Sequence, residues 1–323
     1  MARGYHSYRG RRSKGQVALA VLLAVVILLS LAVMLLSRNI VYDETGTPRL
    51  ELPWGQSAPE DTQPPQTPEL TIQDEAPEQP PEEERKPLLA LSLAAPEDWQ
   101  QALSGGYNAA AVTVKDDRGL VYFDSAAAVP GAVKVSESLA ALNESDLHTI
   151  ARMSCFHDPK AANSDVEGMG LKNTGGYIFY DGNNSQWLDP AKPAARAYLC
   201  ALAAEAAEQG FDELLLTDVG YPTVGKLDKI AYGEGDRGAH LTAFLQEMRT
   251  VLEPYHVILS IELSPEGGLT AEQCAPLVDR VYASGTAEEL SALRAAMETA
   301  SPSTELVVET DAAMAGESCL VLP

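Results

Sequence analysis

The chain has 323 residues, of which 46 are acidic and 23 basic, and its formal net charge is −23. This length suffices for one large domain with appendages or for two small domains. The acidic balance argues against a nucleic-acid partner, because binding to phosphates requires clustered lysine and arginine side chains.

The first 36 residues differ from the rest of the chain. Residues 1–16 are basic and contain no acidic residue, and residues 17–36, VALAVLLAVVILLSLAVMLL, are apolar except for Ser30. Twenty such residues in a helix span about 30 Å, the thickness of the hydrocarbon core of a bilayer. A cleaved signal peptide is the alternative, but its apolar region is usually shorter. We therefore expect a transmembrane signal anchor at 17–36 with a cytoplasmic N-terminus, which places the later residues outside the cell membrane.

Residues 37–86 follow the expected anchor. From Glu60 to Lys86 this region is rich in Pro, Glu and Gln and contains no aromatic residue. Such a composition cannot bury enough apolar surface to fold, and it predicts an extended, disordered linker.

The cysteine and histidine residues show no metal-binding spacing. The four cysteines form no CxxC pair, and the five histidines form no HExxH motif. We therefore expect no bound metal. An extracytoplasmic location permits disulfides and four cysteines allow three pairings, so disulfides stay open beside buried free thiols, which we favour. The cysteines are Cys155, Cys200, Cys274 and Cys319.

Short apolar runs alternate with helical patterns over residues 87–323. The runs are enriched in Val, Ile and Leu, as is typical of buried parallel strands. They are Leu88–Leu93, Ala109–Val114, Thr149–Cys155, Glu213–Thr217, Val257–Glu262, Asp279–Ala283, Glu305–Glu309 and Cys319–Leu322.

Three intervening segments carry helix signals. Asp189 and Pro190 can begin a helix that ends before Gly210. A second segment repeats apolar residues at helical spacing from Leu241 to Leu252, and a third opens with a capping-box pair, Thr286 and Glu289.

Eight candidate strands alternating with helices predict an α/β fold, a (β/α)8 barrel of the TIM type. An open doubly wound sheet is the alternative, since a long segment separates the third and fourth strands. No GxGxxG motif follows the first strand and no GxxxxGK[ST] motif occurs. The sequence therefore predicts no nucleotide cofactor, and we expect no other cofactor.

Active sites of such barrels lie at the C-terminal ends of the strands. Facing carboxylates with a nearby aromatic side chain suit glycoside chemistry, in which one carboxyl group protonates the leaving oxygen and the other acts as nucleophile or base. The polar residues at or near these ends are Lys115, Asp116, Asp117, Arg152, Trp187, Asp189, Thr217, Asp218, Tyr221, Glu262, Glu309 and Asp311.

Five segments, in order, resemble a bacterial family of predicted glycoside hydrolases, the domain of unknown function 4015. They are AAAVTVKDDRGLVYFDS, TIARMSCFHDPKAA, WLDPAKPAARAY, FDELLLTDVGYP and LEPYHVILSIEL, within residues 88–281. The resemblance implies a (β/α)8 barrel and activity on a glycan.

The chain departs from the family pattern at several positions. The family's strand-two pattern resembles VIDVKDD, whose Asp falls on Thr113 here, while Lys115 and Asp116 are kept. Its strand-four pattern resembles FDEIQFDYIRFP, whose strand-end Asp falls on Thr217 and whose Arg falls on Gly220. Its strand-five Asp falls on Glu262, a conservative change.

Strand alternation decides whether Asp218 can replace the missing Asp. If Leu215 and Thr217 face the barrel interior, Asp218 faces the helices unless the strand has already ended. Gly220 could allow an early end, because glycine permits turn geometries that other residues resist. Glu262 shares a face with the small Ser260 and is better placed.

Two functional hypotheses follow for a membrane-anchored, extracytoplasmic barrel. In the first, it hydrolyses an envelope or extracellular polysaccharide, with Glu262 as general acid, Asp218 as nucleophile or base, and Asp116 in support. Candidate substrate-binding residues are then Lys115, Arg152, Trp187, Asp189, Thr217 and Tyr221. In the second, favoured by Thr113 and Thr217, the barrel has lost catalysis and serves as a carbohydrate-binding or scaffold protein.

Overall fold

The computed structural model describes residues 40–42, 48–50, 86–136 and 138–323. The expected cytoplasmic segment 1–16, the expected transmembrane helix 17–36 and most of the linker 37–86 lie outside these ranges. Among the residues that are described, no helix is both long and apolar enough to cross a bilayer.

The chain divides into two compact units, residues 1–78 and 79–323. Of the first unit, two short antiparallel strands are described, β1 (Ile40–Tyr42) and β2 (Pro48–Leu50). They lie in the N-terminal part of the expected linker, where β-branched and aromatic residues such as Val41 and Tyr42 favour strands.

The second unit is a closed barrel of eight parallel strands, so the predicted barrel is confirmed. The alternative prediction, an open doubly wound sheet, is wrong, because the last strand of the barrel pairs with its first strand and Cys319 lies opposite Leu89. The strands are β3 (Leu89–Ser92), β4 (Ala109–Lys115), β5 (His148–Ser154), β6 (Glu213–Thr217), β7 (Ile258–Glu262), β8 (Arg280–Ala283), β9 (Glu305–Thr310) and β10 (Cys319–Val321).

Seven α-helices accompany the strands within the described part of the second unit. They are α1 (Trp99–Ser104), α2 (Leu139–Asn143), α3 (Pro159–Ser164), α4 (Pro193–Glu208), α5 (Arg237–Leu252), α6 (Ala271–Cys274) and α7 (Ala287–Ala300). Short 3-10 helices cover Pro96–Asp98, Leu227–Lys229, Glu253–Tyr255, Pro265–Gly267 and Ala275–Leu277.

The helix predictions hold except at one boundary. The Thr286–Glu289 capping box forms at the start of α7, as predicted. Helix α4 begins at Pro193, so the predicted start at Asp189 and Pro190 is wrong. The reason is local: the Asp189 carboxylate accepts a hydrogen bond from the Ala191 amide (3.0 Å), which closes a turn before the helix, and Pro193 then takes the first helical position.

Strand alternation divides the barrel residues between its interior and the surrounding helices. A tightly buried set of side chains fills the interior: Leu88, Ala90, Ala109, Ala111, Ile150, Leu215, Tyr282, Val307 and Leu320. The four cysteines are buried free thiols, the outcome that we favoured.

A buried carboxylate anchors the N-terminal half of the interior. Glu213 accepts hydrogen bonds from Ser260 (2.6 Å) and Tyr282 (2.7 Å), contacts His148 Nε2 (2.8 Å) and forms an ion pair with Arg280. Burial alone would raise the pKa of Glu213, but the hydrogen bond with His148 and the charge of Arg280 outweigh it and lower this pKa.

Candidate active site

The C-terminal ends of three strands bring together Arg152, Glu262 and Glu309, which we call the mouth cluster. Each lies two residues, or a multiple of two, beyond an interior residue: Arg152 follows Ile150 on β5, and Glu309 follows Val307 on β9. On β7, Glu262 lies two residues beyond the buried Ser260, whose hydroxyl contacts Glu213. Arg152 Nη2 and Glu262 Oε2 form an ion pair of 2.9 Å, so one carboxylate of the cluster has a fixed cationic partner.

Glu309 is in a different electrostatic environment. Burial raises its pKa to about 7, the negative charge of Glu262 adds to the rise, and the positive charge of Arg152 opposes it. A carboxyl group with a pKa of about 7 keeps its proton below neutral pH and is about half ionised at pH 7. The cluster thus contains two carboxyl groups whose environments differ, the arrangement that separates an acid from a base.

Two atoms of the mouth cluster lack hydrogen-bond partners. In the described part of the chain, the buried side-chain polar atoms without a partner are Asn143 Oδ1, Arg152 Nε and Glu309 Oε1. Buried polar groups are rarely left unsatisfied, because the loss costs about 1–3 kcal/mol.

Asp218 does not face the helices, and it is not part of the mouth cluster. Strand β6 ends at Thr217, and Asp218 has a left-handed backbone conformation with φ of 52°. Its carboxylate accepts a hydrogen bond of 2.6 Å from the Ser154 hydroxyl. Among the described residues, no hydrogen bond or ion pair links Asp218 to Arg152 or Glu262.

Gly220 does not provide the turn that ends β6, as expected from the sequence, but allows two loops to approach each other. Asp218 supplies the positive φ at the end of the strand, whereas the absence of a side chain at Gly220 lets the Gly267 backbone approach. The Tyr221 amide donates to the Gly267 carbonyl at 2.9 Å, which holds the β6 and β7 loops together.

We expect Gly220→Ala to destabilise the protein by about 1–3 kcal/mol, the usual cost of overpacking. A Cβ atom at this position would lie 2.9 Å from the Gly267 Cα and 3.0 Å from the Gly267 carbonyl oxygen. Both are backbone atoms, which cannot rotate away as a side chain can. Denaturant unfolding measures the effect. Gly175→Ala is the control, because this exposed glycine has no positive φ and a Cβ atom there would first meet the end of the Asn173 side chain, at 3.1 Å. Equal stability of the two variants would contradict the prediction.

Asp116 organises its own loop. Its carboxylate accepts from the Leu120 amide (2.8 Å), the Tyr122 hydroxyl (3.0 Å) and the Arg118 guanidinium, with Nε at 2.8 Å. Burial tends to raise the pKa of Asp116, but these hydrogen bonds lower it overall. These hydrogen bonds occupy most of the acceptor capacity of the Asp116 carboxylate. Little of that capacity is therefore free for the supporting catalytic role expected for Asp116.

Lys115 is buried and belongs to the layer outside the barrel interior. The register shifts between Thr113 and Lys115, and Lys115 Nζ contacts Asp158 (3.0 Å) and the Ser154 carbonyl (2.7 Å). Both charged side chains have no exposed surface. Lys115 therefore has no surface to offer a substrate, contrary to the expected binding role.

Trp187 and Asp189 shape the long segment between β5 and α4. The Trp187 ring stacks on His157 with centroids 4.4 Å apart, and its Nε1 donates to Asp181 at 3.0 Å. Asp189 is 4% exposed, and burial raises its pKa. The contacts of both side chains are with this segment itself.

Tyr221, Thr217 and Thr113 differ in accessibility. Tyr221 is 2% exposed, and its hydroxyl contacts His240 Nδ1 at 2.9 Å, so it has no free surface for a substrate. Thr217 ends β6 half-buried. Thr113 lines a cleft of about 540 Å³ whose wall also includes Asp116, Tyr122 and Lys134.

From the sequence, Glu309 was predicted only as one of many polar residues at strand ends. Strand alternation could have placed Glu309 in the interior, because it lies two residues beyond Val307 and therefore on the same face of β9, as does Glu305. No group of three or more His, Cys, Asp or Glu side chains suited to a metal ion occurs among the described residues.

A parallel eight-stranded barrel with two carboxyl groups at its C-terminal mouth has the architecture of glycoside hydrolases. The family model described as "putative glycosyl hydrolase domain" matches residues 100–266. The chain belongs to this family, as its sequence motifs indicated.

Several solved structures resemble this chain. A hypothetical protein from Ruminiclostridium thermocellum is 28% identical over 54% of this chain and 96% of its own, with a TM-score of 0.47. The glycoside hydrolase domain of PelA from Pseudomonas aeruginosa is 15% identical over 69% of this chain and 83% of its own, with a TM-score of 0.42.

A third structure, trehalose-6-phosphate hydrolase from Bacillus licheniformis, is similar in fold alone. It is 11% identical over 73% of this chain and 64% of its own, with a TM-score of 0.50. No curated protein matches the chain.

Proposed function

We propose that this protein hydrolyses glycosidic bonds of an envelope or extracellular polysaccharide at the mouth cluster. The observation that carries the proposal is the contrast between Glu309, whose pKa is raised to about 7, and Glu262, which forms an ion pair with Arg152. Glu309 is the general acid. Glu262 is the nucleophile or base, the role predicted from the sequence for Asp218, and Glu309 takes the role of general acid that was predicted for Glu262.

The reaction begins with proton transfer from Glu309 to the glycosidic oxygen while the bond from that oxygen to the anomeric carbon breaks. The Glu262 carboxylate either attacks the anomeric carbon or removes a proton from the water that attacks it. Arg152 holds the Glu262 side chain in place through the 2.9 Å contact. When Glu262 loses its negative charge in this step, it no longer repels a negative charge on Glu309. The ionised form of Glu309 is then favoured.

Membrane attachment completes the proposal. An apolar segment at 17–36 preceded by basic residues would tether the barrel outside the cell, where polysaccharides of the envelope lie. The Pro- and Glu-rich residues 60–86 would let it reach substrates away from the bilayer.

Turnover of purified full-length protein on a panel of wall and extracellular glycans tests the proposal. We expect hydrolysis by the wild type and a loss of at least about 100-fold in Glu262→Gln, since the amide can neither attack nor accept a proton. Glu266→Gln, an exposed residue just beyond β7, is the matched control. Hydrolysis that Glu262→Gln leaves unchanged would remove Glu262 from the mechanism.

Carbohydrate binding without hydrolysis is the second candidate function. It is favoured by Thr113 and Thr217, which stand where the family pattern has Asp. Saturable binding of a glycan by the wild type, with no hydrolysis of any glycan on the panel, would support it.

A further inference from the structure

Two loops at the C-terminal end of the barrel form a cleft of about 640 Å³ apart from the mouth cluster. One loop connects β5 to α4 and the other connects β6 to α5. The cleft is lined by Asn173, Thr174, Ile178, Phe179, Tyr180, Asp181, Gly182, Gly225, Lys226 and Lys229.

Backbone hydrogen bonds hold the two loops together. The Gly182 amide donates to the Val224 carbonyl (3.1 Å), and the Thr174 amide donates to the Lys229 carbonyl (2.8 Å). A Cβ atom at Gly225, where φ is 106°, would lie 2.6 Å from the Gly182 nitrogen. Glycine at this position therefore allows a contact that fixes the floor of the cleft.

Two exposed tyrosines lie in the segment that forms one side of this cleft: Tyr180 lines the cleft, and Tyr177 directly precedes the lining residue Ile178. Tyr177 is 76% exposed and Tyr180 is 48% exposed, whereas the neighbouring Phe179 is buried at 3% and anchors the segment. The Asn173 side chain accepts from the Gly175 and Tyr177 amides (2.9 and 3.3 Å), which fixes the turn that presents Tyr177. Tyrosine offers a large, stiff ring with a polar tip, and such rings bind at low entropic cost.

We propose that Tyr177 and Tyr180 form a glycan-binding subsite that holds the polysaccharide beside the mouth cluster. The apolar face of a sugar ring stacks on an aromatic ring, and the lysine side chains that line the cleft, Lys226 and Lys229, suit its hydroxyl groups. The cleft and the mouth cluster lie at the same end of the barrel, so one extended polymer can contact both. The subsite rests on the proposed function for the identity of its ligand.

Glycan binding is measured on the full chain carrying Glu262→Gln, so that the polymer stays intact. The probes are a β-1,4-linked N-acetylglucosamine polymer, a neutral β-1,4-glucan and an anionic uronate polymer. We expect Tyr177→Ala with Tyr180→Ala to weaken binding by about 5- to 150-fold, because both aromatic stacking contacts are lost. The double Tyr→Phe variant keeps both rings, and its affinity should stay within about twofold of the parent.

Tyr255→Ala is the control for loss of a tyrosine elsewhere, since Tyr255 follows α5 near the opposite end of the barrel. Thermal unfolding of each variant establishes that the fold is kept. Wild-type hydrolysis combined with undiminished binding in the double alanine variant would overturn the subsite and leave the proposed function standing. Tyrosine-dependent binding without any hydrolysis supports the subsite and counts against the proposed reaction. No saturable binding to any of the three polymers overturns the subsite.

Discussion

Glu309→Gln is expected to lower kcat on the cleaved glycan by about 100- to 10,000-fold, the usual contribution of a general acid. Gln occupies nearly the same volume but has no acidic proton to give to the leaving oxygen. The wild-type rate should fall as the pH rises through about 7, because Glu309 then loses its proton. Turnover across pH 5 to 9 measures both effects, and the decline near pH 7 should be absent from any residual activity of the variant.

Stability provides a second measurement on the same variant. The folded-state pKa of Glu309, about 7, lies above the ordinary value of 4.5, so the folded protein binds this proton more tightly than the unfolded chain. Ionising Glu309 above pH 7 therefore costs the folded state up to about 3 kcal/mol, a penalty that disappears as the pH falls below the ordinary value. Glu309→Gln should be more stable than the wild type at pH 8 and lose that advantage near pH 4.

An active Glu309→Gln variant that keeps the wild-type pH profile would exclude Glu309 as the acid. Glu266→Gln serves again as the control, because this exposed residue lies at the same end of the barrel and outside the mouth cluster. Its rate and stability should match those of the wild type.

Lys115→Met is expected to destabilise the protein by about 3–5 kcal/mol, the cost of removing one partner from a buried ion pair. The variant leaves Asp158 without its cation, and neither side chain of the pair has exposed surface in the wild type. Asp158 would keep its hydrogen bonds to the Ala161 amide (2.8 Å) and the Tyr198 hydroxyl (3.3 Å), which are too few to offset a buried charge. Equilibrium denaturation measures the loss.

Adding Asp158→Asn to Lys115→Met should recover part of the lost stability, because the uncompensated charge is then absent. Lys160→Met is the matched control, since Lys160 lies two residues beyond Asp158 and is exposed. A change below about 1 kcal/mol in Lys115→Met would show that the pair contributes little beyond a surface salt bridge.

The sequence predicted the barrel because its strands are buried on both faces and therefore appear as short apolar runs such as Ala109–Val114. It placed Glu262 on the interior face of β7, because that residue lies two positions beyond Ser260. Local periodicity is sufficient for both conclusions.

Other placements depend on geometry that periodicity does not contain. The register shift between Thr113 and Lys115 turns the Lys115 side chain away from the barrel interior, where the alternation of β4 would place it. The left-handed backbone at Asp218 likewise breaks the alternation of β6. Burial is the largest cause of the raised pKa of Glu309, and the charge of Glu262, from another strand, adds to it; both depend on how the strands are arranged in the barrel.

The packed interior also limits the paths that protons can take in the proposed reaction. Ile150, Leu215, Tyr282 and Val307 are fully buried in the barrel below the mouth cluster, so the interior is filled with side chains. In the proposed mechanism, a proton that Glu309 donates would therefore be replaced from the solvent at the C-terminal end of the barrel. A polymer cannot pass through a filled barrel, so in the proposed reaction it would lie across the C-terminal ends of the strands.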